Sequence, residues 1–268
     1  MKASDHINNR FQSDASRYAA YLETPEGRLR LDLAFANLEE FLRGRESSKL
    51  MRALDVGCGT GATAVRLGQL GFHVTLLDSS EAMLDIAQHA AHDANVSDRI
   101  TVKCGDAIQI SSLFNAGSFD VVLCHNVLEY LEDPQAMLWG AAHLLRDSSA
   151  ILSVLVRNQA GEVLKAAIQT GDLAAAGHAL ASEWAQESLY GGKVRLFTPD
   201  KLREMLKMAS ARTIAERGVR IIADFLPPKV SRSEEYERIV ELERKLAGRE
   251  EFRAAARYTH FIASVSGH

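Results

Sequence analysis

The segment DVGCGTG, Asp55 to Gly61, sets an acid and three alternate glycines at the end of a short apolar run, and the next two apolar runs also close on acids, Asp78 and Asp106. Glycines at 57, 59 and 61 permit a tight turn and close approach of backbone to a ligand, and a helix that starts just after them points its N-terminus the same way. Two ligands suit such a loop. A dinucleotide calls for GxGxxG, with its pyrophosphate against the helix start. Here the spacing is GxGxG, and Asp55 would repel a pyrophosphate while accepting hydrogen bonds from an ammonium group or from loop amides. That pattern favours S-adenosylmethionine, whose amino-acid tail carries both charges. Asp78, with Ser79 beside it, stands where a carboxylate accepts from both ribose hydroxyls, a role that serves either ligand. Asp106 or the backbone of Ala107 can pair with an adenine amino group, and Met83 can wall the ring. Core packing accounts equally well for Met83, and a helix cap is the alternative account of Asp106.

A second group of side chains could handle an acceptor. His125 and Asn126 end the fourth apolar run, and His125 is a candidate both for cofactor contact and for general-base chemistry. His260 is the other candidate base. A carboxylate nucleophile is already ionised at neutral pH and needs no base, whereas a phenol, hydroxyl or amine would. Arg157, Arg195 and Arg257 fall in segments expected to bound the cleft, with Asn158 and Tyr258 able to add neutral hydrogen bonds. Arg195 and Tyr258 are therefore candidate substrate-positioning residues, although ion-pair structure is the simpler reading of any single arginine.

These residues need elements to hold them. From residue 51 strand-like runs alternate with helical ones: MRALDVG, HVTLLD, ITVKCGD, FDVVLCHN and AILSVLVRN read as strands, with amphipathic helices between them. That alternation demands parallel pairing with right-handed crossovers, hence an α/β, doubly wound sheet. RTIAERGVRIIADFL and ARYTHFIASVSG read as a closing strand pair around a charged helix. Residues 1–48 read as an N-terminal helical segment, with Thr24 and Pro25 starting a helix. Residues 159–197 read as a helical cap or lid insertion, and 1–268 as one domain.

Composition narrows the class. A chain of 268 residues, 47% hydrophobic, can bury an ample core. With 31 basic and 35 acidic residues its net charge is −4, so no global field marks a nucleic-acid binder. Cys58, Cys104 and Cys124 show no CxxC spacing, which predicts reduced thiols, a cytoplasmic setting and no metal site. No apolar run approaches the roughly 20 residues of a membrane span, and MKASDHINNRF is too polar for a signal peptide.

DVGCGTG, LLDSS, CGDA and FDVVLCHNVLEYLEDP, in that order, resemble the class I S-adenosylmethionine-dependent methyltransferases over about residues 50 to 160. GRLRLDL, RLFTPDKL, GVRIIADFL, YERIVELERKLAGREEF and ARYTHFIA extend a looser resemblance, to the tRNA 5-carboxymethoxyuridine methyltransferase family, over nearly the whole chain. The resemblance implies a Rossmann-like sheet of seven strands, mostly parallel, with the last antiparallel. It implies methylation of the carboxylate on a modified wobble uridine, and a cofactor site that includes Arg30, Gly57, Cys58, Asp78, Asp106, Ala107 and His125. Arg30 would pair with the methionyl carboxylate. One departure stands out: the family's run of lysines ahead of RLFTPDKL is here only GGKVR. Because nucleic-acid affinity rests on neutralised phosphates, a small-molecule acid stays open as the substrate beside tRNA. A nicotinamide oxidoreductase and a non-catalytic cofactor-binding module are the readings from other classes.

Overall fold

Strands whose apolar residues run almost without interruption, such as VVLCH and ILSVLVR, can be satisfied only by burial on both faces, and the computed structural model shows how that burial is met. It describes residues 12–43, 50–187 and 192–265. Two helices, α1 (Ala15–Leu22) and α2 (Pro25–Leu42), precede the sheet. Alternating elements follow: β1 (Arg52–Val56), α3 (Ala62–Gln69), β2 (His73–Asp78), α4 (Glu81–Asp93), β3 (Ile100–Cys104), a short α5 (Ile110–Leu113), β4 (Val121–His125), α6 (Pro134–His143) and β5 (Ile151–Arg157). The chain then forms α7 (Gln159–Leu164), a π-helical turn (Lys165–Gln169), α8 (Leu173–Ala181) and the strands β6 (Trp184–Gln186) and β7 (Lys193–Arg195). It closes with α9 (Pro199–Met208), β8 (Ala211–Val219), α10 (Tyr236–Ala247), α11 (Glu250–Arg253) and β9 (Tyr258–Val265).

Seven strands form one sheet in the order β3-β2-β1-β4-β5-β9-β8, with β1 to β5 parallel and β9 antiparallel to both its neighbours. One face packs Met137, Leu138 and Ala141 of α6 with Leu202 and Leu206 of α9 against Val122, Val154 and Phe261. The other face packs Leu38 of α2, Leu67 of α3 and Ala87 of α4 against Ala53, Leu123 and Ile262. The expected doubly wound arrangement is thus present, and so is the expected start of α2: Thr24 Oγ1 accepts from Gly27 N at 3.1 Å, with Pro25 at the first helical position. Of the N-terminal segment, residues 1–11 and 44–48 lie outside the described residues.

Two stretches depart from expectation. The cap after β5 is not all helical, because Trp184–Gln186 and Lys193–Arg195 pair as an antiparallel ribbon. Residues 188–191, between these two strands, lie outside the described residues. RTIAERGVRIIADFL does not continue as one strand either. β8 stops at Val219, and Arg220 takes a left-handed φ of 59°. The cause is Glu243 of α10, buried to 1% exposure, whose carboxylate accepts from the amides of Ile221, Ile222 and Ala223 at 2.7 to 2.9 Å. A carboxylate that captures three consecutive amides outcompetes a strand ladder and turns the chain toward the cleft.

Gly61 shows a different constraint from the one its place in DVGCGTG suggests. It caps α3 with φ +72°, and a Cβ there would sit 2.8 Å from Ala87 Cβ, so its bareness serves helix packing rather than ligand approach. Gly61→Ala should lower stability by about 2 kcal/mol or more, from left-handed strain plus the clash. Gly171→Ala, at φ +67° with nothing within 4 Å, should lose only the strain. Urea midpoints of the two variants check this, and equal losses would show that contact with Ala87 adds nothing.

Candidate functional site

The carboxyl ends of β1 to β5 open into a cleft of about 680 Å³. Strand order changes direction at β1 and β4, which leaves a crevice beyond their ends where ligands of such sheets bind. Gly57 and Gly59 reach it with φ of 64° and 52°. A Cβ on Gly57 would strike Val127 Cγ2 at 2.8 Å, and one on Gly59 would stand 3.2 Å from the Tyr18 ring. The loop is pinned to β2: Gly57 N and Cys58 N both donate to Leu77 O, at 2.7 and 3.2 Å. Asp78 completes the link, its carboxylate accepting from Gly59 N and Ser80 N, each at 2.9 Å. This carboxylate therefore shapes the loop as well as facing the cleft.

Ser79, Met83, Asp106 and Ala107 also line the cleft. Met83 is 2% exposed, so it is both core and wall. Asp106 serves as a cap, accepting from Ile108 N at 3.0 Å, and keeps its place on the cleft rim. Asp55 and Cys58 lie one layer deeper, beside a small cavity of about 40 Å³ that shares Arg30, Gly57, His125 and Asn126 with the cleft. Burial, then the charge of Asp78, pushes the Asp55 carboxyl up to about 7. Burial likewise drives the Cys58 thiol well up, so it is no nucleophile at neutral pH.

Opposite the loop the wall is cationic. Arg30, Arg157 and Arg220 lie 5.7 to 6.0 Å from the centre of the Tyr258 ring. Burial opposes ionisation of Tyr258, but the charges of Arg157, Arg30, Arg220 and Arg257 outweigh it and bring the phenol down to about 7. Three of the four guanidinium groups have acid partners. Arg157 meets Glu187 at 3.1 Å, Arg220 is bonded to Asp224, and Arg257 pairs with Glu162. Arg30 is different: it is 5% exposed, donates to Tyr18 OH at 2.8 Å, and has no carboxylate partner among the described residues. A buried cation without a counter-ion is costly, and one that faces a cleft is an anion site.

His125 lines the cleft and donates to or accepts from Ser153 Oγ through Nε2 at 2.8 Å. Burial and then Arg30 lower it to about 3, so it is neutral and is a poor general base. His260 is fully buried and driven well below its usual range, first by burial and then by His125. Arg195 is placed elsewhere. On β7 its guanidinium lies 4.8 Å over the Trp184 ring and 3.8 Å from Glu183, and it lines neither the cleft nor the small cavity. The ring of Trp184 and the carboxylate of Glu183 hold it on the β6–β7 ribbon. Asn158 is likewise structural, donating to Ala254 O and Ala256 O at 2.9 and 2.8 Å.

Several lining residues escaped the sequence reading. Tyr18, Tyr21, Lys165, Gln169 and Glu187 carry no motif, and Tyr130 and Arg220, though they lie in HNVLEYLEDP and GVRIIADFL, have no spacing that marks them as lining residues, since each reaches the cleft by a turn or helix packing decided elsewhere. For Lys165 and Gln169 the π-helical turn was the missing signal, because it alters which side chains share a face.

Residues 54–152 match the family model described as a methyltransferase domain, which marks the chain as an S-adenosylmethionine-dependent methyltransferase. Within that class it is similar to the tRNA 5-carboxymethoxyuridine methyltransferase of Escherichia coli (strain K12), with 29% identity over 246 residues, 90% of this chain and 89% of the relative. The ubiquinone biosynthesis O-methyltransferase of Caulobacter sp. (strain K31) is 32% identical over 173 residues, 65% of this chain and 64% of that one. The crystal structure of magnesium protoporphyrin IX methyltransferase from Synechocystis PCC 6803 with bound SAH shares the fold: TM-score 0.66 at 16% identity, covering 99% of this chain and 100% of that one.

The raised Asp55 has a consequence for stability. Its folded pKa, about 7, exceeds the unfolded value, so the folded state holds the extra proton and the contribution from Asp55 declines as pH rises from about 4 to about 7. In Asp55→Asn that decline should vanish. Urea unfolding of the ligand-free protein at pH 5 and pH 8 measures it; an unchanged difference between the two proteins would show that Asp55 is ionised throughout.

Proposed function

We propose that this methyltransferase transfers its methyl group to a carboxylate, and that the acceptor is 5-carboxymethoxyuridine in tRNA, giving a methyl ester. The observation that carries the carboxylate is the cationic wall: four guanidinium groups and Lys165 line one side of the cleft around Tyr258. Similarity to the Escherichia coli tRNA enzyme along 90% of the chain supports the nucleoside. The neutral His125 agrees with an acceptor that needs no proton removed.

The donor set fits S-adenosylmethionine. The loop presents bare backbone at Gly57 and Gly59, the uncompensated Arg30 suits the methionyl carboxylate, and Asp55 suits the ammonium group. Asp78 would hold the ribose hydroxyls, with Ser79 beside it, while Asp106, Ala107 and Met83 border the adenine. Bound there, the cofactor supplies an electrophilic methyl carbon on a sulfonium. The chain's own work is to orient an acceptor carboxylate toward that carbon and to exclude water. Arg157, Arg220 and Arg257 grip it while their acid partners keep the grip loose enough for an oxygen to attack. Tyr258 adds a hydrogen bond.

A free small-molecule acid is the second reading. It is favoured by the β6–β7 ribbon, which offers Lys193 and an Arg195 already engaged with Glu183 where an RNA-binding edge would carry several cations.

Incubation of the protein with S-adenosylmethionine and hypomodified tRNA, followed by nucleoside mass spectrometry, should reveal a methyl ester; unmodified nucleosides would remove the tRNA reading. Arg157→Met should cut turnover of the carboxylate acceptor on the order of tenfold to a hundredfold while cofactor binding changes little, read by steady-state kinetics and calorimetry. For the cofactor side, the ratio of wild-type to Asp55→Asn affinity for S-adenosylmethionine should rise between pH 6 and pH 8, since Asp55 must ionise to meet an ammonium group. A ratio flat with pH would place the ammonium elsewhere.

A further inference from the structure

Three neighbouring strands each place one polar side chain on the same face at the cleft end of the sheet. In register, Leu123 pairs with Ser153 and Ser153 with Ile262, so His125, Ser153 and His260 share one face on β4, β5 and β9. Ser153 Oγ stands 2.8 Å from His125 Nε2 and 2.8 Å from His260 Nε2, and the two rings meet edge-on at 5.2 Å. Ser153 and His260 are both fully buried.

One hydroxyl between two imidazoles admits few proton arrangements. Ser153 has a single proton and no third partner among the described residues, so accepting from both rings would leave that proton buried and unbonded. It must donate to one ring and accept from the other. If it donated to His260, the remaining proton of that neutral ring would sit on Nδ1, which is buried with no partner. If it donates to His125, His260 keeps its proton at Nε2 and leaves only a bare acceptor at Nδ1. Buried orphan N–H groups are rarer than under-satisfied acceptors, so the second arrangement prevails. Both rings are neutral, as their burial requires.

We infer that Ser153 and His260 are positioning residues that hold His125 in the Nδ1–H tautomer, so that His125 acts on the cleft as a neutral hydrogen-bond donor rather than as a base. Nδ1 of His125 makes no bond to a described residue and is not among the buried orphans, which leaves it open to the cleft. Arg30, close enough to depress the His125 pKa, lines the same two cavities. The two donors would converge on one ligand oxygen, of the methionyl carboxylate or of the acceptor, and that functional half rests on the methyl-transfer reading. The tautomer itself does not.

The test therefore has two arms. Long-range 1H–15N correlation spectra of the ligand-free protein, with His125→Asn used to assign its signals, should show a protonated-type shift for His125 Nδ1 and an unprotonated type for Nε2. The opposite pattern overturns the inference whatever reaction the protein performs. In the kinetic arm, Ser153→Ala should lower kcat/KM on the order of tenfold, by freeing the ring to carry its proton on Nε2. In a His125→Asn background, where the side-chain amide donates from the Nδ1 position without help, Ser153→Ala should have no further effect. Equal losses in both backgrounds would make Ser153 a packing residue and overturn the positioning role.

Discussion

Four buried guanidinium groups around one phenol can coexist only if the chain brings carboxylates to them from several directions, and much of the molecule's architecture is explained by that requirement. Arg157 ends β5 and is answered by Glu187, after the β6 strand of the cap. Arg257 precedes β9 and is answered by Glu162 of α7. Arg220 and Asp224 both lie in the turn that Glu243 of α10 holds open. The cap, the turn after β8 and the antiparallel strand are thus tied to one another through charge, and all of them close on the cationic side of the cleft. Arg30 alone is left without an acid among the described residues, and it comes from α2, ahead of the sheet.

The side of the cleft formed by the glycine loop follows an opposite logic. Its acids, the buried Asp55 and the half-buried Asp78, lie near each other with no cation bonded to either among the described residues, and backbone amides take the place of counter-ions at Asp78. An uncompensated carboxylate on one side and an uncompensated guanidinium on the other complement a zwitterionic ligand lying between them. The same polarity makes the site inhospitable to a pyrophosphate, which agrees with a methyltransferase domain rather than a dinucleotide fold.

The sequence carried the first half of this arrangement plainly. Alternation of apolar runs required a parallel sheet, and acids at three successive strand ends marked the edge where a ligand sits. Asp78, Ser79, Met83, Asp106 and Ala107 all reach the cleft because strand ends are fixed by local pattern. Gly61 shows the limit of such reading, for its place in the motif suggested ligand approach and its surroundings show helix packing. Arg195 shows it again, since a short ribbon engages this candidate residue with Trp184 and Glu183, and it is not among the residues that line the cleft.

What the sequence determined by itself was therefore the doubly wound scaffold, the glycine loop and the acids that follow it, because each depends on contacts between residues close along the chain or on a period repeated within one strand. Tertiary structure alone decided which arginines meet at Tyr258, that Arg220 and Tyr18 join them, and that His125 is a neutral partner of Ser153 and His260. Those outcomes rest on residues from different elements, Ser153 and His260 among them at 107 positions apart, brought together by strand order and by a buried carboxylate on a distant helix, and no local spacing encodes them.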